Sequence, residues 1–211
     1  MSASTPMLLQ YYAIREAHKD AILFFRLGDF YEMFGEDAIV AAKILGITLT
    51  ARYKGTAQET PMCGVPYHAV ETYIVKLTKA GKKVAICEQT TPPGKGLVER
   101  KVVRVVTPGT TIHPGNIEEK SNNYIVALHK SKEVYGFALA DLGTGSFQIT
   151  EVRNPDHVHA IMGRLSPSEV IVPKDAMSLL DLPFFTHLYT PAFGFDPHAL
   201  RQAAPRDVAV G

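Results

Sequence analysis

Leu27-Gly28-Asp29-Phe30-Tyr31-Glu32-Met33-Phe34 is the stretch whose reading decides the fold. If it is extended, side chains alternate between faces, so Phe30 and Glu32 point one way while Tyr31 and Met33 point the other. One face is then apolar and the other sets a flat ring beside a carboxylate. An apolar run of this length is ordinarily a strand packed on a core, with a solvated Glu at its end. The ring and carboxylate sharing a face are what burial alone does not require. The preceding residues, 22–27, are apolar and aromatic and read as a strand leading straight into the octapeptide.

Working outward, Thr5-Pro6 followed by Met7, Tyr11 and Ile14 on one face predicts a capped amphipathic helix ending near His18. Downstream, Glu36-Asp37 open a helix through Leu45, with acids at its positive end and Gly46 closing it. A short strand is expected at 47–50, a polar surface loop with Gly55 at 52–60, and a fixed irregular path at 61–68, where two prolines and a glycine fall in eight residues. A helix over 69–80 buries Val70, Tyr73, Ile74 and Leu77 and stops at Gly81. Strand 83–89 turns Val84 and Ile86 to one side and Ala85 and Cys87 to the other; a loop at 91–96 and a strand at 98–106 follow, before Thr107-Pro108-Gly109 turns the chain. This half is an α/β unit.

Residues 111–123, rich in Gly, Pro, Asn and charge, read as a linker between domains at 1–110 and 124–211. Strands at 124–129, 134–141 and 146–151, separated by short turns, read as an antiparallel meander. Asn154 caps a helix to about Leu165, and 169–172 is a buried strand behind it. The tail from Pro191 offers no closing core element, so the sequence reads as ending inside a longer protein.

The 211 residues carry a formal net charge of +1, but unevenly. Lys and Arg number 14 against 10 Asp and Glu in residues 1–110, and 8 against 11 in the remainder. The cluster Lys76, Lys79, Lys82, Lys83, Lys95, Arg100, Lys101 and Arg104 is either a solvated face or the footprint of a polyanion binder. No apolar run reaches the roughly 18 to 20 residues that span a bilayer, and the first residues lack a secretion signal, so no membrane association and a cytoplasmic location are expected. Cys63 and Cys87 then read as reduced structural thiols.

Three chemistries are open to these residues. A nuclease would use Asp141 with Asp156 or Glu169 as metal ligands, but no spacing fixes a partner beside Asp141. A phosphate loop at Gly94-Lys95 lacks the glycine five residues earlier and the Ser or Thr that should follow. A binding site fits better. An aromatic wedge entering the minor groove unstacks a base step at a cost of a few kcal/mol, less where pairing is already defective. A neighbouring carboxylate accepts a hydrogen bond from a base edge yet repels phosphates, so the pair discriminates as well as grips.

Five ordered blocks carry a resemblance: Thr5-Pro6-Met7, Phe24 to Phe34, Thr60 to His68, Ala85-Ile86-Cys87-Glu88-Gln89 and Glu99 to Thr110 together resemble the N-terminus of the bacterial MutS family of DNA mismatch repair proteins. Residues from Asp141-Leu142-Gly143 to Phe147 are similar to the family's connector domain. The resemblance implies two α/β domains: an N-terminal mixed-sheet mismatch-recognition domain and a ribonuclease H-like connector without nuclease activity. It places stacking on a mispaired base on Phe30 and hydrogen bonding to that base on Glu32, with Arg52, Lys54, Tyr67 and His68 as further DNA-binding candidates. It implies mismatched double-stranded DNA and MutL as partners and a homodimeric full-length protein. ATP and Mg belong to that protein's ATPase domain, so no cofactor and no enzyme activity are expected here. The alternative is a protein-docking module without DNA binding of its own.

Overall fold

The computed structural model describes residues 5–91, 96–111, 122–173 and 186–189. Its first sheet is built from β1 (Ala21–Leu27), β2 (Phe30–Phe34), β3 (Thr50–Arg52), β4 (Thr60–Pro66), β5 (Lys83–Gln89) and β6 (Arg100–Val106), in the spatial order β3-β4-β2-β1-β5-β6. Only β1 and β5 run parallel, so the sheet is mixed. Helices α1 (Pro6–Ala17), α2 (Gly35–Leu45) and α3 (Val70–Lys79) cover it.

Strand alternation sorts the core into two layers. Phe24, Tyr31, Met33, Cys63, Val65, Val84 and Ile86 pack against α2 and α3, through Ala38, Ala41, Ile74 and Leu77 among others. Leu23, Phe25, Phe34, Ala85 and Cys87 face α1, through Leu8 and Tyr11. The expected split of the 83–89 strand is borne out. Burial pushes the Cys63 and Cys87 thiols up to about 11, and both cysteines are free. The buried Asp37, at the positive end of α2, ties the layers together. Its Oδ2 accepts from Arg15 Nε at 2.8 Å, the Leu23 amide at 3.0 Å and the Tyr11 hydroxyl at 3.2 Å.

Two local expectations are corrected, and a third holds in position while its side-chain bond differs. The short strand lies at Thr50–Arg52 rather than 47–50, because pairing with β4 at Met62, Pro61 and Thr60 sets its limits. Residues 61–68 are not irregular: Thr60–Pro66 is a paired strand, with Pro61 and Pro66 near its ends, where a missing donor costs least. Only Tyr67–Ala69 departs from it, as a 3-10 turn ahead of α3. Thr5 sits at the N-cap of α1 without a capping bond from its side chain, which instead accepts from the Tyr53 hydroxyl at 3.3 Å.

The second sheet contains β7 (Tyr124–Ser131), β8 (Val134–Asp141), β9 (Ser146–Val152), β10 (Glu169–Pro173) and β11 (Thr186–Tyr189), ordered β11-β10-β7-β8-β9. The meander β7 to β9 is antiparallel, while β10 pairs parallel with both β7 and β11. That arrangement meets the ribonuclease H-like expectation; β11 was not anticipated. Helix α4 (Pro155–Leu165) is capped by Asn154, whose side-chain oxygen accepts from the Asp156 amide at 2.8 Å, and packs Val158 and Met162 on Val126, Phe137 and Val170.

The chain leaving β6 is held against this sheet. Glu169 Oε2 accepts from Thr107 Oγ1 at 2.5 Å and from the Gly109 amide at 3.1 Å. Asn123 Nδ2 lies 3.1 to 3.2 Å from the carbonyls of Pro108, Gly109 and Thr111. Thr111, where the expected linker begins, is buried; 112–121 and the tail from Pro191 lie outside the described residues.

Candidate functional site

Phe30 and Glu32 stand on the α1 face of β2, and coverage of that face falls along the strand. Phe34 lies beneath α1 at 1% exposure, Glu32 is half-buried, and Phe30 is 47% exposed. Tyr31 and Met33, pointing the other way, are buried. The gradient follows from length and register. Helix α1 reaches Phe34, with Tyr11 stacking edge-on at 4.9 Å, whereas Phe30 is the first residue after the Gly28-Asp29 turn. Gly28 holds a φ of +58°, a left-handed conformation that favours glycine. The tight turn therefore brings β2 back beside β1 with Phe30 at the rim.

Glu32 Oε2 receives Arg52 Nη1 at 2.8 Å, so two sequence-predicted residues meet although 20 positions separate them. Burial raises the Glu32 pKa above the ordinary glutamate value, and the Arg52 guanidinium pulls it back only in part. Arg52 also lies 5.8 Å from the centroids of Phe34 and Tyr53.

The other candidates are placed differently. The exposed Tyr67 follows Pro66, the register partner of Phe30, and its amide donates to the Asp29 carbonyl at 2.9 Å. Its ring lies under the Arg26 guanidinium, 3.9 Å from the centroid, and contacts His68 edge-on. Arg26 pairs in register with Tyr31, so this stack belongs to the Tyr31 side of the sheet. Lys54 is exposed in the β3–β4 connection, by a shallow depression lined with Leu49, Ala51, Glu59 and Pro61.

Sequence reasoning passed over Arg26. It lies over Tyr67, 5.4 Å from the Tyr31 centroid, and donates to the Gly28 carbonyl at 2.5 Å, bracing the turn before Phe30. Behind it the Tyr31 hydroxyl bonds Glu88, and burial together with that bond pushes the phenol up to about 12. The signal available was an Arg inside an apolar strand, which needs partners if it is half-buried.

The carboxylates of the nuclease reading do not converge. Asp141 pairs in register with Tyr124, and Glu169 with the next residue, Ile125, so they occupy opposite faces of the second sheet. Asp141 accepts from the Gly143 amide, and among the described residues no group of three or more His, Cys, Asp or Glu could hold a metal ion.

A mixed-sheet domain with a half-exposed ring and carboxylate at its rim, followed by a second mixed-sheet domain, defines the class of protein. Residues 5–114 match the family model of MutS domain I and residues 123–190 that of MutS domain II, and the chain belongs to the MutS family. It is 54% identical over 172 residues to the DNA mismatch repair protein MutS of Caldanaerobacter subterraneus subsp. tengcongensis, covering 79% of this chain and 20% of that protein. Against the DNA mismatch repair protein MutS of Desulfosudis oleivorans it is 47% identical over 193 residues, 90% of this chain and 22% of that protein. The chain thus spans about a fifth of the length of the curated relatives it matches. No helix among the described residues is long and apolar enough to cross a membrane.

Proposed function

We propose that these residues recognise mispaired or unpaired bases in duplex DNA as part of mismatch repair, with Phe30 stacking on the base from the minor groove and Glu32 accepting a hydrogen bond from it. One observation carries the reading: on a face that buries Phe25 and Phe34 completely, Phe30 is left half-exposed beside a half-buried carboxylate. A ring that served the core alone would be covered. Arg52, braced on Glu32, contributes positive charge at the same rim, and Lys54, Tyr67 and His68 are backbone-contact candidates on the flanking turns. The reading gives the described residues a binding role and leaves ATP and Mg to the ATPase domain of a full-length, homodimeric protein.

Titration of labelled mismatched and matched duplexes at low and high salt tests it. Mismatch preference together with steep weakening in salt supports the proposal. Equal affinity for both duplexes refutes it. A second reading, docking of a protein such as MutL on the connector, draws on β9, where Phe147 and Ile149 are 57% and 52% exposed. The two readings differ in which substitutions matter: those at Phe30 for DNA, those at Phe147 for MutL.

A further inference from the structure

Gly64 lies directly across from Glu32 on the neighbouring strand, as Pro66 lies across from Phe30, so positions 30, 32, 64 and 66 share one face. Nothing in the local backbone demands a glycine, because Gly64 is not among the residues with positive φ. Packing does not demand it either. A Cβ there would lie 3.4 Å from the Tyr31 carbonyl oxygen, 3.6 Å from Glu32 Cγ and 3.8 Å from Phe30 Cδ1, which is ordinary van der Waals contact. Glycine weakens a strand interior, and it often marks a bulge or the close approach of a ligand or another backbone; the β2–β4 register runs through Gly64 without a bulge. The two nearest side chains are the ring and the carboxylate themselves. Anything larger than a methyl at position 64 would stand out from the sheet between Phe30 and Glu32.

We infer that Gly64 determines specificity as the floor of the slot in which a displaced base lies between the Phe30 ring and the Glu32 carboxylate. The inference rests on the stacking role of Phe30. A flat heterocycle stacked on the ring and bonded at its edge to Glu32 has to pass over position 64. The missing side chain leaves space for a planar base, and a branched or long side chain fills that space.

The test is made in the intact protein that carries these residues, with Gly64→Ala, Gly64→Leu, Phe30→Ala and the double variant Phe30→Ala/Gly64→Leu. Affinities are measured for matched duplex and for duplex containing one mismatch, and folding is checked by thermal unfolding. Gly64→Leu is expected to lose the mismatch preference as fully as Phe30→Ala, about five- to 150-fold, because either change abolishes the stack. The double variant should then lose no more than either single, since one interaction cannot be removed twice. Gly64→Ala, which folds without displacing its neighbours, should show a smaller loss in the same direction and serves alone if the leucine variant does not fold. Should folded Gly64→Leu, or Gly64→Ala in its place, retain the parent's preference while Phe30→Ala abolishes it, the slot is overturned and the stacking reading stands. If Phe30→Ala itself leaves the preference intact, the stacking reading fails and the slot with it.

Discussion

Truncating Phe30 and Phe34 in parallel tests the proposed recognition role against a folding role within a single strand. Both rings lie on the same face of β2, one turned out at 47% exposure and the other buried at 1%. Fully burying a Phe side chain is worth about 1.5 to 3 kcal/mol, so removing a ring that is half-covered should cost about 1 kcal/mol of stability. Phe34→Ala leaves a cavity between α1 and the sheet, where Tyr11 and Leu23 cannot close in without shifting, and should cost about 3 to 5 kcal/mol. Mismatch affinity should respond in the opposite order. If Phe30 stacks on a base as proposed, Phe30→Ala should lose stacking worth about 1 to 3 kcal/mol, about five- to 150-fold in mismatch affinity, with matched-duplex affinity nearly unchanged. Urea unfolding of both variants and anisotropy titrations with the two duplexes measure these quantities. If Phe30→Ala unfolds the protein as readily as Phe34→Ala, or keeps the full mismatch preference, the ring belongs to the core and the reasoning is refuted.

Under the proposed role, Glu32→Ala should tighten binding to matched duplex by removing a negative charge that would face the phosphates; unchanged or weaker binding in the same titration counts against a discriminating role. The pH dependence of Glu32 has a definite sign: since its folded pKa is raised, its contribution to stability is fullest below the ordinary glutamate value and is lost as pH rises through the folded pKa. Glu32→Gln should therefore gain on the parent in urea unfolding as pH rises from the ordinary glutamate range through the raised folded pKa, and a difference that stays constant with pH would contradict that. Asp37→Ala leaves the Arg15 guanidinium, the Leu23 amide and the Tyr11 hydroxyl without their shared acceptor and should cost about 3 kcal/mol, read by thermal unfolding. Gly109→Ala would bring a Cβ within 2.4 Å of Ile125 Cγ1 and 2.8 Å of Glu169 Oε2, so a loss of about 1 to 3 kcal/mol is expected in urea unfolding.

What could be read from the sequence depended on whether the signal was local. Alternation in 83–89, the acids opening α2, Gly46 in its left-handed cap and the Asn154 cap of α4 are decided within a few residues, and the structure agrees with each. The irregular path expected at 61–68 rested on prolines and glycine, which advertise irregular backbone, while β2 and β3 on either side hold Thr60–Pro66 as a strand. Tertiary pairing overrode local propensity there. The same holds at the site. Phe30 and Glu32 were legible from alternation, but the Arg52 contact and the bracing of the turn by Arg26 depend on strand order, which no spacing in the sequence displays.

Strand order also explains why the ring and carboxylate are where they are. A slip of one residue between β1 and β2 would exchange the faces, sending Phe30 and Glu32 inward and Tyr31 and Met33 to the rim. Two features resist that slip: the Gly28-Asp29 turn, which fixes Leu27 opposite Phe30, and the burial of Met33 against α2, which would be forfeited. The slipped state would also bury the Glu32 carboxylate without Arg52, which is unfavourable by several kcal/mol. Exposure of Phe30 is therefore a consequence of folding the rest of the sheet correctly. The protein holds a half-naked aromatic ring at little cost because the energy that fixes it comes from Tyr31, Met33 and Phe34, and this leaves position 30 free to be chosen for what it touches outside the fold.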